Sequence, residues 1–187
     1  MLLDLAHNSA TAQHIATQLA RHFIADDPPP QAVERLARVF NRTGGDLPAV
    51  YRALIVEETA WSQPLTKFKT PNDYVISAWR ALGMPIDDAR KVPPLFAGLG
   101  QRVWSPNSPA GWPDRSADWD GASALMQRLR WADQIGQRLG ATVNAMELAP
   151  QILGASLTDN TRLALSRAAS AAQAVTLLLA APEFMRR

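Results

Sequence analysis

Six side chains in one stretch have the types that hold a flat or sugar-like ligand: Arg102, Trp104, Asn107, Trp112, Asp114 and Trp119. Indole faces stack on rings, while guanidinium, amide and carboxylate groups hydrogen-bond to hydroxyls. The six lie within residues 98–119, which hold three of the six tryptophans together with Pro106, Pro109 and Pro113. The same residues also have a structural explanation. A long irregular segment needs hydrophobic anchors of its own, and each indole buries a large area. Anchoring is therefore the first reading of the stretch and ligand binding the second. The prolines pre-order the backbone and suit both.

The other reactive side chains do not assemble into a site. His7, His14 and His22 are the only histidines. Spaced seven and eight residues apart on one helix, neighbours stand roughly 10 Å or more from each other and cannot share an ion. His22 and Asp26 read as a pair at a helix end, where an imidazolium also suits the dipole. Asp26 and Asp27, beside three prolines, read as caps for the following helix. Asp114, Asp118 and Asp120 lack the spacing of a calcium loop, and no metal site is expected. Asp120 and Gly121 read as a turn and a helix start. Glu57 and Glu58 follow an apolar helix and are expected to be solvated. Lys67 and Lys69 flank Phe68 ahead of a helix start that attracts anions, but Thr70 caps that helix itself. The chain has no Gly-x-Ser-x-Gly elbow, no phosphate loop and no dinucleotide fingerprint. Its lack of cysteine excludes disulfides, thiolate metal sites and a cysteine nucleophile. No catalytic residue and no cofactor is assigned.

The elements that carry these residues read as amphipathic helices. Ala12, Ile15, Ala16, Leu19 and Phe23 share one face of a helix capped by Asn8 or Ser9 and running to about Ala25. The prolines at 28–30 end it. A second helix, from near Pro30 to Arg42, buries Val33, Leu36, Ala37 and Phe40 and stops at Gly44 and Gly45. A third is capped by Asp46, tolerates Pro48 in its first turn, and turns Leu47, Val50, Tyr51 and Leu54 inward. The fourth has Thr70 as N-cap, Pro71 at its first position and Asp73 at its third, then Val75, Ala78, Trp79 and Leu82, closed by Gly83. Residues 84–94 are polar and proline-bounded, with one helical turn at 87–91, and a short helix over 94–99 enters the tryptophan stretch. Beyond it, Asp120 or Ser123 starts a helix bearing Leu125, Met126, Leu129, Ala132 and Ile135. Further helices span about 145–153, 159–169 and 170–181. The few β-branched residues sit at helical spacing, so no strand is expected.

This pattern predicts an all-α, single-domain irregular bundle of about seven to nine helices. Its parts are N-terminal helices over 1–97, a Trp/Pro/Gly loop over 98–122 and C-terminal helices over 123–187. The 187 residues suffice for one well-cored domain, and 47% hydrophobic with 19% charged residues marks a globular chain. Lys and Arg number 19 against 17 Asp and Glu, with no basic run longer than Arg186–Arg187, so nucleic acid is not an expected partner. Arg35, Arg38 and Arg42 follow helical spacing and would share a face, which a solvated surface explains equally. The longest apolar stretch, Ala171–Pro182, is interrupted by Gln173 and Thr176 and is too short to span a bilayer. Met1–Asp4 lacks a basic region leading into an apolar core, so no signal peptide is expected.

Several motifs occur in a recognisable order: His22–Pro30, Gly44–Leu47, Lys67–Pro71, Leu99–Gln101, then Ser105–Asn107 with Gly111–Pro113, and last Ala181–Arg187. In these the chain resembles the C-terminal part of the bacterial family called Domain of Unknown Function 1800, over essentially its whole length. Members of that family are typically more than twice this length, and they usually carry proline where this chain has Asn8. The resemblance implies bacterial origin, longer relatives that are often exported, no established activity, and frequent genetic neighbourhood with a sulfatase-like partner family. The function expected is a structural or interaction helical module with no catalytic set of its own. The alternative is an envelope-associated role, binding a glycan-like ligand or hydrolytic, on the tryptophan stretch.

Overall fold

The computed structural model describes residues 1–62 and 64–187. Among the described residues lie eleven α-helices, nine of them seven residues or longer, with three short 3-10 turns and no strand. One isolated antiparallel bridge joins Phe68 and Arg186. The fold is all-α. The chain packs as two compact units, residues 1–67 and 68–187.

The first unit holds α1 (Leu2–Ala6), α2 (Ser9–Phe23), α3 (Pro30–Arg42), α4 (Leu47–Ile55) and α5 (Glu58–Ser62). Asn8 starts α2 by accepting from the Ala10 N–H at 2.8 Å, which satisfies a donor that has no partner in the first turn. Pro30 opens α3 at the position where a missing N–H costs nothing. Gly44 and Gly45 close it at positive φ, with the Gly45 N–H returning to Phe40 O at 2.9 Å. The buried face of α2 is Ala12, Ala16 and Ala20, one small residue per turn. Small side chains bring α3 close, and its Ala32, Val33, Leu36, Ala37 and Phe40 fill the core with Val50 and Leu54 of α4. Phe23 and Tyr51, expected to face inward, are exposed instead. The helices α1 and α5 were not expected, because five residues are too few for a helical period to register.

The second unit holds α6 (Pro71–Ala81), α7 (Val92–Gly98), α8 (Ala122–Leu139), α9 (Ala145–Leu153), α10 (Asp159–Ser166) and α11 (Ala171–Ala180). A capping box starts α6: Thr70 Oγ1 accepts from the Asp73 N–H, and the Asp73 carboxylate accepts from the Thr70 N–H. Tyr74, Val75 and Ala78 of α6 meet Trp131, Ala132 and Ile135 of α8 and Val175, Leu178 and Leu179 of α11 in the core. The Tyr74 hydroxyl donates to Leu179 O at 3.2 Å, and its ring meets Trp131 and Phe184 edge-on. The α8–α11 contact is a backbone seam. A Cβ at Gly136 would strike Ala172 O and Thr176 Oγ1, and one at Gly140 would strike the Ala172 backbone. Residues 99–121 contain no α-helix and a single 3-10 turn, Ser116–Asp118.

A cation is buried within this unit. Arg128 of α8 is 0% exposed, with its guanidinium 4.3 Å over the Phe68 ring and 5.2 Å over Tyr74. Its Nη2 donates to Lys69 O at 2.7 Å. Nε and Nη1 have no hydrogen-bond acceptor among the described residues, and the aromatic faces supply the compensating attraction. Burial pulls the Arg128 pKa down to about 10.

Candidate functional site

The six side chains of the tryptophan stretch divide into two groups. Trp119 is buried and Trp112 half-buried, their ring centroids 6.0 Å apart. Trp119 Nε1 donates to Pro113 O at 3.0 Å, closing the segment on itself. Asp114 is half-buried and pairs with Arg187 at 3.7 Å. Arg102, Trp104 and Asn107 point outward, Trp104 with 95% of its surface exposed. Among the described residues Trp104 is the one non-glycine at positive φ, 57°. It sits in a turn in which the Ser105 N–H donates to Arg102 O at 3.4 Å. Glycine or asparagine ordinarily takes that third position, and a tryptophan there is strained.

The charged residues singled out near helix starts are engaged elsewhere. Lys67 is buried, with Nζ donating to Arg21 O at 2.7 Å and to Asp26 at 2.9 Å. Lys69 Nζ lies 4.3 Å over the Phe184 ring. Its burial, opposed by Asp73 and reinforced by Arg128 and Arg187, pushes its pKa down to about 8. Each lysine is thus held by partners within its own unit. Glu57, expected in solvent, is 6% exposed. Its carboxylate accepts from Arg35 Nε at 2.7 Å and from Arg35 Nη2, and also from the Thr59 hydroxyl at 2.7 Å. The Arg35 hydrogen bonds come first among the causes that hold the Glu57 pKa down to about 2. Arg38 and Arg42 line the same recess as Arg35, as their spacing implied, and Glu57 and Glu58 line it too. The recess is thus of mixed charge.

The feature that stands out in the first unit is an apolar groove of about 560 Å³. Leu19 and Phe23 of α2, Tyr51, Leu54 and Ile55 of α4, and Ala60 and Trp61 of α5 line it. Two i,i+4 pairs, Leu19 with Phe23 and Tyr51 with Ile55, place successive turns of their helices on the groove. Trp61 is 74% exposed yet fixed, because its Nε1 donates to Ile55 O at 2.7 Å. Phe23 and Ile55 are 58% and 62% exposed. Among the described residues the lining is apolar apart from the Tyr51 hydroxyl and the Trp61 N–H, a composition that suits association. Reading the sequence by its helical period missed it. The i,i+4 pairs and the nearby Trp61 were the available signal, but a period marks the apolar side of a helix without saying what covers it.

A protein-family model described as "Protein of unknown function (DUF1800)" matches residues 1–186. No curated protein and no solved structure matches the chain. No helix among the described residues is long and apolar enough to cross a membrane.

Proposed function

We infer that this chain, which belongs to the DUF1800 family, is a helical interaction module with no catalytic set of its own. One observation carries the reading: the groove of α2, α4 and α5 exposes Phe23, Tyr51, Ile55 and Trp61 together. Aromatic and branched apolar side chains gathered on a concave surface are what protein interfaces use as anchors. The pinned indole of Trp61 reduces the ordering cost of binding. The occupant is an amphipathic helix presented by a protein partner. A sulfatase-like protein encoded nearby is the partner that the family resemblance puts forward, and nucleic acid is not expected.

The test is calorimetry between this chain and that purified sulfatase-like protein. Binding is expected, with Ile55→Glu weakening it by tenfold or more, about 1.4 kcal/mol, and the melting temperature unchanged. Equal affinity of the variant, or no binding at micromolar concentrations, overturns the reading. A second reading, an envelope-associated site for a glycan-like ligand on the tryptophan stretch, draws on the exposure of Trp104 beside Arg102 and Asn107. Replacing the protein partner by a chito-oligosaccharide in the same cell separates the two readings. Heat of binding lost in Trp104→Ala but kept in Ile55→Glu belongs to the second.

A further inference from the structure

The second unit holds a cleft of about 460 Å³ between the end of α6, the segment leading into α7, and the last turns of α8. Its walls include two indoles, Trp79 and Trp131. Both are held by other rings: Trp79 stacks on Phe96 with centroids 6.3 Å apart, and Trp131 meets Tyr74 edge-on at 5.4 Å. Leu95, Ile135 and Leu139 complete the apolar part of the lining. The recess is concave, with polar and apolar lining in comparable measure. A concave site that combines ring-bearing walls with a few placed polar groups suits a small molecule that has both an apolar body and a polar head.

The polar edge gives the chemistry of the ligand. Asp88 is already satisfied, accepting from Arg90 Nε at 3.0 Å, Arg90 Nη2 at 3.3 Å and the Arg90 N–H at 3.0 Å. The remaining charged groups at the edge are Lys91, Arg138 and Asp87. These three are exposed and have no ion pair or side-chain hydrogen bond among the described residues. Two uncommitted cations against one uncommitted carboxylate leave a single positive charge beside the aromatic walls. We propose that this cleft binds a small ring-bearing carboxylate, its ring against Trp79 and Trp131 and its anionic head at Lys91 and Arg138. A guanidinium grips a carboxylate with two parallel bonds, and the flat walls select a flat body. The proposal is independent of the groove in the first unit.

The experiment titrates the full chain with 2-naphthoate and follows the indole Nε1–H signals by NMR, each assigned by a Trp→Phe variant. Saturable shifts are expected at Trp79 and Trp131. The double variant Lys91→Gln/Arg138→Gln should bind about tenfold more weakly. Both positions are exposed, and an unchanged melting temperature confirms that the fold is retained. The neutral isostere 2-naphthalenemethanol should bind the native chain about as weakly as naphthoate binds the double variant, and should not distinguish the two proteins. Absence of saturable shifts at these two indoles overturns the proposal. So does equal affinity for the alcohol and the carboxylate, or undiminished naphthoate binding by the double variant. Shifts confined to Trp61 would put the probe in the other groove and overturn it as well.

Discussion

Glu57 joins two parts of the first unit that lie far apart in sequence, since its partner Arg35 sits in the middle of α3. The carboxyl is lowered from an ordinary 4.5 to about 2, with the Arg35 bonds leading, burial opposing, and Thr59 assisting. A carboxyl whose folded value lies below its unfolded one stabilises fully above the unfolded value. That contribution fades as the pH falls from about 4.5 toward 2. Glu57→Gln should therefore cost about 1–2 kcal/mol at neutral pH, and should flatten the loss of stability over that acid interval. Urea unfolding of both proteins at pH 7 and pH 3 checks this, and parallel losses on acidification would contradict it. Sequence could not reveal the pair. Its partners are 22 residues apart, and a glutamate after an apolar helix carries no local mark of a distant arginine. Asn8 and Thr70 were legible because a cap bonds within three residues of itself.

At the scale of elements, α8 and α11 meet where Gly136 and Gly140 lie under Ala172 and Thr176. An alanine is a better helix former than glycine by up to about 1 kcal/mol, but its methyl group has no space here. Gly136→Ala should destabilise the protein by about 1–3 kcal/mol as the two helices are forced apart. Thermal and urea melts read the sign, and a stabilised variant would contradict the seam. Element ends were legible wherever local chemistry fixes them. Pro30 and the Gly44–Gly45 pair bound α3, and Thr70 with Asp73 starts α6 as a capping box. The candidate groove was not legible, because it depends on how α2, α4 and α5 leave Tyr51 and Phe23 uncovered. Within the tryptophan stretch, sequence named the residues but could not divide them. Trp119 found a carbonyl within its own segment, at Pro113, while Trp104 was turned outward by a backbone conformation that its side-chain type disfavours.

On the scale of the molecule, the all-α class followed from helical spacing alone, without any distant contact. The backbone pairing at the edge of the second unit depends on distant contacts and was invisible to that reading. Phe68 and Arg186 are bridged, and the Lys69 N–H donates to Met185 O at 2.8 Å. Arg187 adds ion pairs to Asp73 at 3.1 Å and to Asp114 at 3.7 Å. The first and last residues of this unit are thus neighbours, about 5 Å apart at the bridge. In topological terms the unit is a ring cut at one place, and the place of the cut is arbitrary. A circular permutant of residues 68–187, its old ends joined by a short glycine linker and a new break made between Trp104 and Ser105, should fold with native helicity and melt cooperatively. A collapsed, non-cooperative product would mean that the order of synthesis, and not only the set of contacts, is written into the fold.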